Sequence, residues 1–272
     1  MDPQHIKVVP LKSWSEFKSQ VEKIYEDTGK RHQTSGGHVS EPVFRGQADS
    51  LWKLESSLDR HWGPGMAFRT YHDGYLLPAV SQLKDTLNLE IPPTIDSEPE
   101  FRDFGRNAPW YPSMATLRHH GFPAPLLDWT YSPYVAAFFA FNEKRDVENV
   151  AVFAYREFCG SGKGYEGNKP RIETFGPSAP IHHRHIRQQN TYTIALKKSD
   201  TGLVFASYEE AFQKRPLDFL SFDEVTKFEI SAVARDDAII DLIKMNVTEY
   251  SLFGSDDALV KTIAQLLKYR KW

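Results

Sequence analysis

Apolar residues recur along the chain at both the helical and the strand period, in short blocks. Val8 to Pro10 reads as a strand, and Trp14, Phe17, Val21, Ile24 and Tyr25 then follow at helical spacing. Ser13 and Glu16 stand three apart as a capping box requires, which predicts a helix over 13–26. Residues 28–41 are polar, glycine-bearing and without period, the pattern of a loop, and Pro42 to Arg45 reads as the next strand. From Met66 to Leu87 the period is helical but Pro78 must kink or divide it. The proline-rich run 91–112 predicts an ordered loop with a short helix around Glu100 to Gly105, and Met114 to His120 a short helix ended by Gly121. Leu126 to Trp129 reads as a short buried strand or turn. Ser132 and Pro133 then open a helix that carries the apolar run 135–141, with serine as cap and proline at its first position. Further strands are expected at Val150 to Tyr155, Ile172 to Phe175, Thr191 to Leu196 and Phe228 to Val233, with a glycine-rich loop over 159–169. Helices over 235–245, with Ala238, Ile239, Leu242 and Ile243 inward, and 256–269 close the chain. Strands scattered among helices, with no repeat and no break in composition, predict a single α+β domain over 1–272.

Composition adds limits to this picture. With 40% hydrophobic and 13% aromatic residues the chain is able to bury a sizeable core. A formal net charge of -3 offers no global attraction to nucleic acid or membrane, so an anionic partner must be met by a local patch. The single cysteine, Cys159, excludes an internal disulfide. The N-terminus lacks the pattern of a secretion signal and no window approaches eighteen apolar residues, so the expectation is a cytoplasmic protein with no membrane partner.

Three places carry candidate chemistry. Arg45 at the end of a strand is aimed in one direction, and Gly46 beside it would let a ligand approach the backbone; Arg45 either meets a phosphate or ribose or pairs with a buried carboxylate such as Asp128. His119, His120, Asp128, Trp129, Thr130 and Ser132 crowd into fourteen residues. Asp128 is a candidate general base or a satisfied turn carboxylate, Trp129 a stacking face or core, and Ser132 a site residue or a helix cap. Residues 181–190 form the densest cationic segment, with His183, Arg184, His185 and Arg187 as candidate phosphate or nucleic-acid contacts. His183 and His185 on one strand face would suit a metal, but neither cysteine nor carboxylate stands near, and no metal is expected. No P-loop, Rossmann fingerprint, nucleophile elbow or zincin motif is present.

These blocks resemble the FRG domain, named for the Phe-Arg-Gly that stands here as Phe44-Arg45-Gly46. The middle block, His119 or His120, Gly121, Pro123, Leu126 to Thr130, Ser132, Pro133 and Ala136 to Ala140, is similar to a second motif of that family. Arg184, Gln188 and Tyr192 resemble a third, and together the blocks place a motif-bearing core over 38–200. Asn190 stands where the pattern has glycine, and the spacing to Gly121 favours His119 over His120.

The order of blocks is in turn similar to the arginine, serine and glutamate layout of ADP-ribosyltransferases. That resemblance implies two small, mostly antiparallel sheets that form an NAD-binding cleft flanked by helices. It implies that Arg45 holds the pyrophosphate or nicotinamide ribose, and that Gly46 and Gln47 line the nicotinamide pocket. Thr130 and Ser132 would organise the floor, Trp129 or Tyr192 would stack on nicotinamide, and Gln188 would stand in the usual place of the catalytic glutamate. Glutamine neither stabilises the cationic ribose by charge nor takes the acceptor's proton, so His119 or Asp128, or Glu209 or Glu210 from a loop, would supply the base. The implied activity is NAD-dependent ADP-ribosylation of a nucleic acid or protein by a toxin or phage-defence effector, with an antitoxin or regulatory protein as partner. Two other readings compete: a noncatalytic nucleotide- or RNA-binding module, and a metal-independent ribonuclease using His119 and a second histidine.

Overall fold

The computed structural model describes residues 6–96, 99–104, 108–158, 169–175, 183–200, 202–212 and 223–269. Among them the strands form one open sheet of eight, and its ladder shows two halves. In the first half β1 (Lys7–Leu11) lies parallel on β8 (Glu224–Ser231), which pairs antiparallel with β4 (Asn149–Arg156), and β4 pairs antiparallel with β2 (Val43–Gln47). In the second, β3 (Leu127–Thr130), β5 (Arg171–Phe175) and β7 (Gly202–Phe205) all pair antiparallel with β6 (Asn190–Ser199). The halves meet at a single residue pair, Phe44 with Thr130. Beyond it Arg45, Gly46 and Gln47 pair only with β4, while Leu127, Asp128 and Trp129 pair only with β6. The α+β class is as expected, but the two separate small sheets are instead one sheet, parted at the Phe44–Thr130 pair.

Alternation along the strands sorts side chains between three cores. On one face of the first half Phe44, Val150, Val152, Phe228 and Ile230 pack under α1 (Trp14–Thr34), α6 (Pro133–Phe141) and α9 (Arg235–Lys244). The same face of the second half places Tyr192, Ile194 and Leu196 under α3 (Phe68–Tyr71), α4 (Leu77–Leu87) and α5 (Tyr111–His119). On the opposite face one continuous core runs across both halves, from Val43 and Phe153 to Trp129 and Ala195, closed by α8 (Tyr208–Ala211). The sheet is therefore backed continuously on one side and split on the other.

Gly46 shows how the first half is fastened. A Cβ there would collide with the carbonyl oxygen of Ala136 and lie 2.8 Å from the amide nitrogen of Ala140, so glycine on β2 and small residues on α6 let helix and strand touch. The close approach to Gly46 is made by a helix, whereas the sequence allotted it to a ligand. Ser132 caps α6 by accepting from the amide of Val135 at 3.2 Å, the alternative in which it serves the helix.

Several elements depart from the expected boundaries. The loop expected from residue 28 is helix as far as Thr34, because Arg156 of β4 reaches Asp27 at 3.0 Å, Glu224 at 3.2 Å and the Thr28 hydroxyl, and Asp27 also pairs with Arg31 at 2.8 Å. Pro78 marks the division expected in this helical run: a π-turn over His72–Leu76 precedes it, and α4 starts with the proline in its first turn, where no amide hydrogen is needed. The segment expected as a strand with His183 and His185 on one face is a helix, α7 (His183–Arg187). Most of the glycine-rich loop over 159–169 lies outside the described residues. The remaining described helices are α2 (Ser57–Trp62), α10 (Glu249–Phe253) and α11 (Asp256–Tyr269), with 3-10 turns at Phe101–Asp103 and Ala232–Ala234. None among the described residues is long and apolar enough to cross a membrane.

Candidate functional site

Where the two halves part, a cleft of about 870 Å³ opens, within the range of roughly 300–1,000 Å³ usual for ligand pockets. β2 and β3 form its floor, with the loop after β2, α5, α6 and α7 around it. Five cationic side chains line it (Arg45, Lys53, Arg60, Arg118 and Arg184) against three carboxylates, Glu55, Asp128 and Glu143. The cleft is thus cationic in a chain whose net charge is -3.

Arg45 and Asp128 meet across the parted strands. The Arg45 guanidinium donates from Nη1 to the backbone carbonyl of Asp128 at 2.8 Å and lies 3.7 Å from its carboxylate. Arg118, from α5, donates from Nη2 to the same carboxylate at 2.7 Å. Asp128 therefore binds two arginines, which leaves it a counter-ion rather than a free base. Burial pulls the Arg45 guanidinium down to about 10, Asp128 opposing and Arg118 reinforcing the shift, so Arg45 stays cationic at neutral pH. The Nε atoms of Arg45 and Arg118 and Oε1 of Gln47 are buried without a hydrogen-bond partner among the described residues, while Gln47 Nε2 donates to the Lys53 carbonyl at 3.1 Å.

The other expected residues divide between cleft and scaffold. His119 lines the cleft, its Nε2 2.9 Å from the Tyr192 hydroxyl, whereas His120 is exposed at the helix end where Gly121, at φ 86°, reverses the chain. Tyr192 is fully buried, and burial pushes its phenol far above the ordinary value, so it supports His119 and offers no stacking face. Trp129 turns its ring to the opposite face of the sheet, where it packs near Tyr155 and its Nε1 donates to Thr193 at 2.8 Å; it is core. Thr130 lines the cleft but spends its hydroxyl on the Gln188 carbonyl at 2.7 Å.

Gln188 also reaches the cleft, but its side chain is 6% exposed and already held. Its Nε2 donates to the Leu252 carbonyl at 3.4 Å, and its Oε1 accepts from Asn190 at 3.1 Å. The left-handed residue of that turn is Gln189, at φ 50°, so Asn190 stands in β6 and does not replace a turn glycine. Within the cationic segment only Arg184 lines the cleft. His185 is 4% exposed, and burial pulls its imidazole below 6.5, so it is a neutral interior residue and not a surface phosphate contact. Arg187 lays its guanidinium where a Gly254 Cβ would be, outside the cleft lining; of His183 the backbone alone is described. Glu209 and Glu210 pair with Lys53 at 3.5 Å and Lys197 at 2.9 Å and are not among the lining residues. No group of three or more metal-ligating side chains is found among the described residues.

Sequence reasoning missed Lys53, Glu55, Arg60 and Arg118. Arg118 adjoins His119 and was open to notice, but the loop residues 51–55 have no period and reach the cleft only because Gln47 ties their backbone down. Trp52 and Phe139, 44% and 37% exposed, add aromatic surface to the walls.

Fold and site together define an α+β protein with a cationic cleft in a split sheet. The family model of the FRG domain matches residues 40–149, which include β2, α5, β3 and α6. The match ends before Arg184, Gln188 and Tyr192. Neither the curated proteins nor the solved structures contain a match to this chain.

Proposed function

We propose that the cleft binds NAD and that the protein transfers ADP-ribose from it to a macromolecular acceptor. The observation that carries this reading is the placement of Arg45 where the sheet halves part, charged, backed by Arg118 and shared with Asp128. A pyrophosphate carries two negative charges and accepts hydrogen bonds along a planar guanidinium, which suits a cleft with five cations against three carboxylates. Trp52, over whose ring the Arg145 guanidinium lies at 4.8 Å, and Phe139 add partly exposed aromatic surface for a nicotinamide or adenine ring. The acceptor, nucleic acid or protein, approaches from the open side, and His119 and Arg184 line the path at α5 and α7.

The resemblance in motif order supports the same reading. Gln188 does not carry the chemistry in it, since its amide is spent inside the fold. Among the described lining residues His119 is the one histidine, with the His185 ring 6.0 Å from it.

The test is to incubate the full chain with labelled NAD and separate protein, DNA and RNA pools. Nicotinamide release and transfer of label to one pool are expected, and both are lost in Arg45→Ala protein that still unfolds cooperatively. Tight RNA binding without NAD consumption in any pool would replace this reading with that of a binding module.

A further inference from the structure

A carboxylate in the cleft would serve a transferase of this kind both by its charge and as a base, where His119 could serve only as a base, and Gln188 is not a carboxylate. When the bond between nicotinamide and ribose breaks, the electron pair leaves with nicotinamide and positive charge builds at the ribose carbon. The acceptor's lone pair then closes on that carbon, and the acceptor's proton must go to a base. Three carboxylates line the cleft. Asp128 is bound by Arg118 at 2.7 Å, and Glu143 is bound by Arg145 at 2.7 Å. Glu55 is half-buried and its carboxylate has no hydrogen-bond or ion-pair partner among the described residues.

The chain on both sides of Glu55 is held firmly. Leu54 is 4% exposed and Ser56 1% exposed. Ser56 closes a capping box with Asp59, donating from its amide at 3.3 Å and accepting from the Asp59 amide at 3.1 Å. The Lys53 carbonyl is tied to Gln47 at 3.1 Å, and Arg60 donates to the carbonyl of Glu55 itself at 3.0 Å. A carboxylate with a fixed backbone and no partner, facing a cleft of cations, is arranged to act on something that enters it.

We infer that Glu55 is the catalytic carboxylate of the cleft, stabilising the cationic ribose and accepting the proton of the incoming acceptor. The assignment rests on the transferase reading and deepens it. It moves the acid–base group from the segment before β6, where the motif order would put it, to the loop between β2 and α2.

The experiment compares wild type, Glu55→Gln and Glu143→Gln as full chains, measuring nicotinamide release with the acceptor pools and NAD binding by calorimetry. Glu55→Gln keeps the shape of the side chain, so NAD affinity should stay within about threefold while release falls by roughly 10²- to 10⁴-fold. Release by Glu55→Gln within twofold of wild type, or a comparable loss in Glu143→Gln alone, overturns the assignment and leaves the transferase reading standing. No release by wild type with any pool overturns both.

Discussion

Gly46 stands against the backbone of α6, and any side chain there must push helix and strand apart. Gly46→Ala is expected to lower stability by about 3 kcal/mol, the upper end of over-packing costs, because the colliding atoms are backbone and have no rotamer to move to. Chemical denaturation measures this, and an unchanged midpoint would contradict the contact. Phe44-Arg45-Gly46 is legible in the sequence as a unit, but the duty of its glycine is not, because the atoms it clears belong to Ala136 and Ala140 far along the chain. The same holds for Asp128: its type and its neighbour Trp129 left base and counter-ion open, and Arg45 and Arg118 settle the matter by occupying it. Trp129 and Tyr192 read as stacking faces only while strand alternation is unassigned. Once β3 and β6 are paired, both rings fall inside the cores.

The elements most legible in the sequence are those with local signals. Ser132 with Pro133, Ser13 with Glu16, and the apolar runs of β4 and β8 needed nothing from elsewhere. The last turns of α1 were missed because their support is tertiary, from Arg156 reaching across to Asp27 and Thr28. Arg156→Met should therefore fray residues 28–34 while the rest of α1, fastened by Trp14, Phe17 and Val21, keeps its protection. Amide hydrogen exchange reads the two parts separately, and uniform protection in the variant would show that the ion pairs are not what extends the helix. The π-turn ahead of Pro78 and the helical form of α7 were likewise beyond local pattern, since each depends on how the backbone meets its neighbours.

At the scale of the molecule the decisive feature is a sheet that is whole on one face and parted on the other. A single strand pair, Phe44 with Thr130, joins the ladders of the two halves, and just beyond it the unpaired edges of β2 and β3 expose Arg45 and Asp128 to one cavity. The α+β class and seven of the eight strands follow from the sequence pattern, β7 (Gly202–Phe205) being the one not expected, but the parting depends on register between strands more than eighty residues apart, which no local window contains. The cationic character of the cleft is equally a property of the assembled fold, since its charges come from β2, the following loop, α2, α5 and α7. The central claim is that this cleft takes a pyrophosphate ligand, and calorimetric titration of NAD into the full chain tests it most directly. Saturable one-to-one binding is expected, weakened about tenfold or more in a Lys53→Ala, Arg60→Ala double variant and weakened further by salt. Absence of binding, or an affinity that neither the double variant nor salt alters, would contradict it.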